Sequence, residues 1–212
     1  MKGLLLKDLY GIKASGKAYL SSVLIFVVLS FALRNVAYMG AMITILMGSL
    51  PLNILTGDEA CVWARYAMTM PVKRSQLVTV KYLLLCLIVA LAIAATMAVG
   101  AVLGAVLHTS LIESVIIALA CGAISLFSMS FSLMCCFWLG TEKARILTAV
   151  SYMLPMFLVY GVYFLFQRGE IALADVTAEQ LAAAAVLCLV AAAVFAILFW
   201  RISCRIINKR DL

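Results

Sequence analysis

Few residues in this chain could do chemistry, and their spacing decides whether they form a site or serve the fold. Gly11-Ile-Lys-Ala-Ser-Gly16-Lys17-Ala18 copies the G-x-x-x-x-G-K-[ST] loop that cradles nucleotide phosphates, but Ala18 stands where a hydroxyl should ligate Mg²⁺. No hydrophobic strand precedes it and a long apolar run follows, so Gly11 and Gly16 read instead as the break between an interfacial helix and that run. His108 is the sole histidine, and one imidazole without a carboxylate cluster assembles neither a metal centre nor a proton relay. Cys135 and Cys136 are adjacent with no second pair or histidine nearby, which favours helix packing over metal binding. Ser125, Ser128, Ser130 and Ser132 make a hydroxyl row. Such serines bond their own backbone or a neighbouring helix, or face a polar pathway. Both readings stay open at this stage.

The elements that must position these residues follow from composition. Of 212 residues, 67% are hydrophobic and 12% charged, at a mean hydropathy of +1.19. That is too little polar surface for a water-soluble globule. A helix of about 20 residues, at about 1.5 Å rise, crosses a hydrocarbon core of about 30 Å. Six apolar runs fit: 18–33, 36–55, 82–107, 114–140, 146–166 and 178–200. Lipid offers backbone groups no partner, and the runs lack strand alternation, so an all-α membrane protein with six transmembrane helices is expected as a single transmembrane domain over 1–212. Pro51 and Pro155 predict local kinks. Thr177 and Gln180 have capping-box spacing at the start of the sixth run. Gly100 and Gly104 permit close helix approach, within the chain or between copies.

Charge sets the direction. Fourteen of the sixteen Lys and Arg fall on one side of these runs, and only Arg34 and Arg168 on the other. With the acids included, the sides carry +9 and −2. The positive-inside rule then places both termini in the cytoplasm of a multi-pass protein of the cell membrane. The basic excess reads as topology and as contact with anionic lipids, not as a nucleic-acid surface. No small-x-small cleavage site follows the first run, so it is expected to remain as an anchor. None of the seven cysteines lies in an outer loop, and disulfides are not expected. No Asp, Glu, Lys, Arg or His falls in the middle of a run, which argues against an ion-coupled pump or a membrane-embedded enzyme.

Two cytoplasmic segments remain. In residues 3–13, Leu5, Leu9 and Ile12 share a face with Lys7, Asp8 and Lys13 elsewhere, predicting an amphipathic helix lying flat on the leaflet. The longest stretch outside the runs is 56–81. There Asp58 is expected to cap a short helix reaching about Met68, with Trp63, Tyr66, Ala67 and Met70 at i, i+3, i+4 and i+7. Pro71 stops it, and Ser75 is placed to cap the next helix. An aromatic face held between two spans suits docking into a cytoplasmic partner, or anchoring at the interface with no partner at all.

The start Met-Lys-Gly-Leu-Leu-Leu-Lys-Asp-Leu, two spans, and the pattern Asp-Glu-x3-Trp-x2-Tyr-x4-Pro-Val-x-Arg-x3-Val-x2-Lys-Tyr over 58–82 resemble permease subunits of bacterial ABC-2-type ABC exporters. The resemblance implies an N-terminal elbow helix, here 3–13, and a cytoplasmic coupling helix between spans 2 and 3 that sits on a separate ATPase subunit. It also implies a second permease, either a copy or a paralogue. Asp58, Glu59, Trp63, Tyr66, Pro71, Arg74 and Lys81 would belong to that coupling region. ATP and Mg²⁺ would be held by the partner, with no cofactor in this chain, which would not itself be an enzyme. The implied function is export of an amphipathic or hydrophobic substrate, such as a peptide, toxin or drug, by alternating access. A different class remains beside it, a non-transporting scaffold or sensor that recruits a cytoplasmic partner.

Overall fold

The computed structural model describes residues 2–33, 36–61, 63–67, 74–107, 111–140, 146–153, 157 and 178–209, and among these there is no strand. The helices are α1 (Lys2–Leu33), α2 (Val36–Ala60), α3 (Trp63–Ala67), α4 (Arg74–Leu107), α5 (Leu111–Leu139), α6 (146–153) and α7 (Ala178–Lys209). Three of them contain stretches long and apolar enough to cross a membrane: Arg74–Val102, Ile112–Leu139 and Gln180–Ile207. The pair Gly3–Lys13 and Gly16–Leu29 within α1, bent by 58°, makes a fourth if counted as one span. Most of the fifth expected span lies outside the described residues, as do His108, Pro155, Thr177 and the loop 167–177.

Helices outrun the hydropathy runs that nucleate them, because apolar length measures the lipid and backbone hydrogen bonding continues past it. α4 starts eight residues before the expected third span, and α7 continues nine past the expected sixth. α1 stays helical through Gly11–Ala18, bending between Lys13 and Gly16, so those residues form no phosphate-binding loop. Pro51 is accommodated inside α2, fully buried. α5 ends at Gly140, whose N–H bonds the Cys136 carbonyl at 2.9 Å with φ at 86°, a left-handed cap that glycine adopts without a Cβ clash.

The core lies where α4, α5 and α7 meet, with α2 against α4 and α5. Val78, Leu85 and Leu133 are fully enclosed there. Phe127 and Phe131 of α5 interlock with Phe195 and Phe199 of α7, at ring separations from 5.5 to 5.9 Å across the two helices. Such pairs contribute about 0.5–1.5 kcal/mol each beyond area burial. Leu187, Val190 and Val194 on α7, and Leu20, Leu24 and Val28 on α1, face outward, as helices against lipid require.

The four serines of the hydroxyl row on α5 are buried, and each has a partner. Ser125 Oγ donates to the Thr44 carbonyl of α2 at 2.9 Å, and Ser128 Oγ to the Ser151 carbonyl of α6 at 3.0 Å. Ser130 and Ser132 bond carbonyls one turn back, at 2.6 and 2.8 Å. In this arrangement the row stitches helices together. Tyr82 OH adds a clasp from α4, donating to the Ser130 carbonyl at 3.1 Å and lying 3.0 Å from Ser203 Oγ of α7. Gly48 lets α2 approach α5 so closely that an added Cβ would stand 2.5 Å from Ser125 Oγ. Ser114 Oγ of α5 reaches the Gly100 carbonyl of α4 at 3.4 Å.

Candidate functional site

At the end of the bundle where α1 and α4 begin and α2 ends, four charged side chains converge. Lys81 Nζ lies 2.8 Å from both Asp8 Oδ1 and Asp58 Oδ2. Lys7 Nζ pairs with Asp58 Oδ1 and stands 3.6 Å from Asp8 Oδ1. Two lysines face two aspartates, so the cluster balances in formal charge. Asp8 is 2% exposed and Lys81 6%, which makes the Asp8–Lys81 pair a buried one. Such burial is tolerated only because each charge has direct partners.

The local sequence explains why these groups look outward from their own helices. Asp58 and Glu59 sit in the last turn of α2, which carries no basic residue, and carboxylates there oppose the helix dipole. α4 has no acid in its first turn to favour its N-terminus either. Charges placed against the local dipoles are stabilised by partners on other helices, here by Lys7 and Lys81. The expected N-cap role of Asp58 is therefore corrected: α2 runs unbroken to Ala60, and Asp58 is an ion-pair residue near a helix C-terminus. Ser75 likewise falls inside α4, its carbonyl accepting from Thr79 Oγ1 at 2.8 Å.

The N-terminal segment is corrected as well. Its inward stripe is Leu4, Leu5, Asp8 and Ile12, not Leu5, Leu9 and Ile12; Leu9 is 39% exposed. Ile12 packs beside Leu50, Leu84 and Ile88 of α2 and α4, so this segment docks on the bundle. The partner on α4 makes Asp8 an inward residue.

α3 stands against this cluster. Lys7 Nζ lies 4.4 Å from the centroid of the Trp63 ring, a cation–π contact. Trp63 and Tyr66 are tilted at 44° with centroids 5.4 Å apart. Ala67 is fully buried, whereas Tyr66 is 57% exposed. One face of the short helix is thus fixed and the other presents an aromatic ring. Between the charges and Leu55, Leu77, Phe137 and Ile207 lies a cavity of about 100 Å³, with Glu59 and Trp63 also on its wall.

Of the seven residues that the resemblance implies, Asp58 and Lys81 are in direct contact, and Glu59 and Trp63 adjoin them. Tyr66 lies on α3 and Arg74 opens α4, while Pro71 lies outside the described residues. Lys7 and Asp8 belong to the same cluster and were missed as site residues. A signal existed in Asp8, the one acid of the N-terminal segment, set among leucines at i−4 and i−3. Among the described residues no three His, Cys, Asp or Glu side chains converge as metal donors, and all seven cysteines are free thiols.

Long apolar helices with outward-facing aliphatic belts, joined at one end by a charged cluster, define a helical membrane protein. The chain belongs to the ABC-2 family: the model described as ABC-2 family transporter protein matches residues 3–208, nearly its full length. It is therefore a transporter of the permease type, a transmembrane subunit of a family whose permeases generally pair with an ABC ATPase. No curated protein and no solved structure matched it.

Proposed function

We propose that this chain is the permease subunit of an ATP-driven exporter in the cell membrane, with both termini cytoplasmic. A separate ATPase subunit binds ATP and Mg²⁺ and docks at α3. A second permease, identical or paralogous, completes the pathway. The cargo is amphipathic or hydrophobic, such as a peptide, toxin or drug, and moves by alternating access. Residues 3–13 are the elbow and residues 56–81 the coupling region, embedded among anionic lipid headgroups.

The observation that carries this reading is α3, a short helix fixed by one face to the charged cluster and offering Tyr66 on the other. A rigid, half-exposed aromatic is a common anchor of protein interfaces. The apolar runs carry no Asp, Glu, Lys, Arg or His in their middles, which argues against an ion-coupled mechanism and supports a driving force that enters from a partner.

The test is purification from native membrane under mild solubilisation, followed by transport in vesicles. An ATPase should copurify, and Tyr66→Ala should retain membrane insertion while losing most ATP-dependent transport. Absence of any ATPase would sink the reading. Partner binding without ATP-dependent movement would instead favour a scaffold or sensor.

A further inference from the structure

We propose that Lys7, Asp8, Asp58 and Lys81 form a clasp through which the N-terminal segment of α1 sets the orientation of α3 and passes its displacement to α4, with Lys7 as the positioning residue. This rests on the reading of α3 as the docking element. Lys7 touches both sides of the junction: its ammonium pairs with Asp58 of α2 and lies 4.4 Å from the Trp63 ring of α3. The backbone ties α3 to α2, but the Trp63 ring meets a charge that comes from α1. Asp58 then divides its two oxygens, Oδ1 to Lys7 and Oδ2 to Lys81, so a turn of the α2 end is felt by α1 and α4 together. Lys81 completes the circuit at Asp8, 2.8 Å away.

Two properties make this a device and not only a staple. Charge balance among four groups, of which Asp8 and Lys81 are buried and Lys7 and Asp58 partly exposed, makes the clasp cooperative, since loosening one pair strands a charge that its neighbours must then satisfy. The cavity of about 100 Å³ beside it provides slack, for close-packed interiors do not otherwise let side chains shift. A push on α3 therefore displaces α1 and α4 as a unit before it compresses the apolar core.

Hydrogen–deuterium exchange on the full chain in lipid nanodiscs tests the clasp without any partner. Lys7→Met should speed exchange across 57–67 by roughly threefold to tenfold, while Lys7→Arg, which keeps the charge and stacks on indole, stays near wild type. Lys81→Met should speed exchange in both 3–13 and 57–67. Exchange over 111–139 should not change in any variant. Unchanged exchange at 57–67 in Lys7→Met, an Arg variant that behaves like Met, or a parallel rise over 111–139 would each overturn the clasp. In vesicles with the copurified ATPase, Lys7→Met should lower transport per ATP hydrolysed several-fold; an unaltered ratio would overturn the transmission role. If wild-type protein brings down no ATPase, the permease reading fails and the exchange data still decide the clasp.

Discussion

Polar groups hold this apolar chain together in two places by two different means. At the charged end, four formal charges from α1, α2 and α4 share bonds, with a cavity at their side. In the bundle, neutral hydroxyls of α4, α5 and α7 each make one or two bonds, often to a carbonyl one turn back. Losing a hydroxyl removes an increment, because its partner carbonyl is already bonded within a helix. Losing a charge exposes its partners to a medium that does not solvate them. The bundle is therefore built to tolerate substitution, and the charged end to respond as a whole.

The largest predicted effect follows from that contrast. Lys81→Met leaves Asp8 with only the distant Lys7 ammonium, and breaking a buried pair in this way costs about 3–5 kcal/mol. Reversible unfolding in mixed micelles should register most of it, and a loss below about 1 kcal/mol would mean that the pair is hydrated and the comparison wrong. Next comes Gly48→Ala. Its new methyl would sit 2.5 Å from Ser125 Oγ, a hydroxyl that cannot retreat without stretching its 2.9 Å bond to the Thr44 carbonyl. A cost of about 1–3 kcal/mol is expected, and Gly48→Ala combined with Ser125→Ala should recover part of it. Tyr82→Phe removes one hydroxyl from the Ser130 and Ser203 contacts. Its cost should fall near 0.6 kcal/mol and below about 1.7 kcal/mol, the range for polar contacts between membrane helices. A Tyr82→Phe loss as large as that of Lys81→Met would erase the distinction between the two regions.

How much of this was legible in sequence tracks the same division. Apolar runs announce membrane helices because about 20 residues must satisfy one solvent, and α4, α5 and α7 appear where hydropathy put them. Their ends were misjudged because hydropathy reports where lipid stops: α2 reaches Ala60 and swallows the residue expected to cap α3. The serine row was visible, but its partners on α2 and α6 were not. The charged cluster was the least legible, since its pairs join residues 51 and 73 positions apart. Amphipathicity turned Asp8 outward by default, and only Lys81, on a distant helix, turns it in. Asp58 and Lys81 entered the site through resemblance to a family, while the local signal at Asp58, a helix cap, gave it the wrong role.

The smallest effect on stability is the one that separates transmission from support. Tyr66 is largely exposed and stacks at a tilt on Trp63, so Tyr66→Ala should change unfolding free energy by about 0.5 kcal/mol, the low end for an aromatic pair. If α3 only anchored the chain at the membrane surface, a substitution so mild would leave transport intact. If α3 is where a partner pushes, the same substitution removes the docking ring and its contact with Trp63 but leaves the pairing of Lys7 with Asp58 and Trp63 in place, and transport falls while stability changes little. Measured together, unfolding and transport for Tyr66→Ala against Lys81→Met should move in opposite proportion, the first losing function at constant stability and the second losing stability first. Proportional losses in both variants would mean that the charged end and its aromatic helix are merely part of the scaffold.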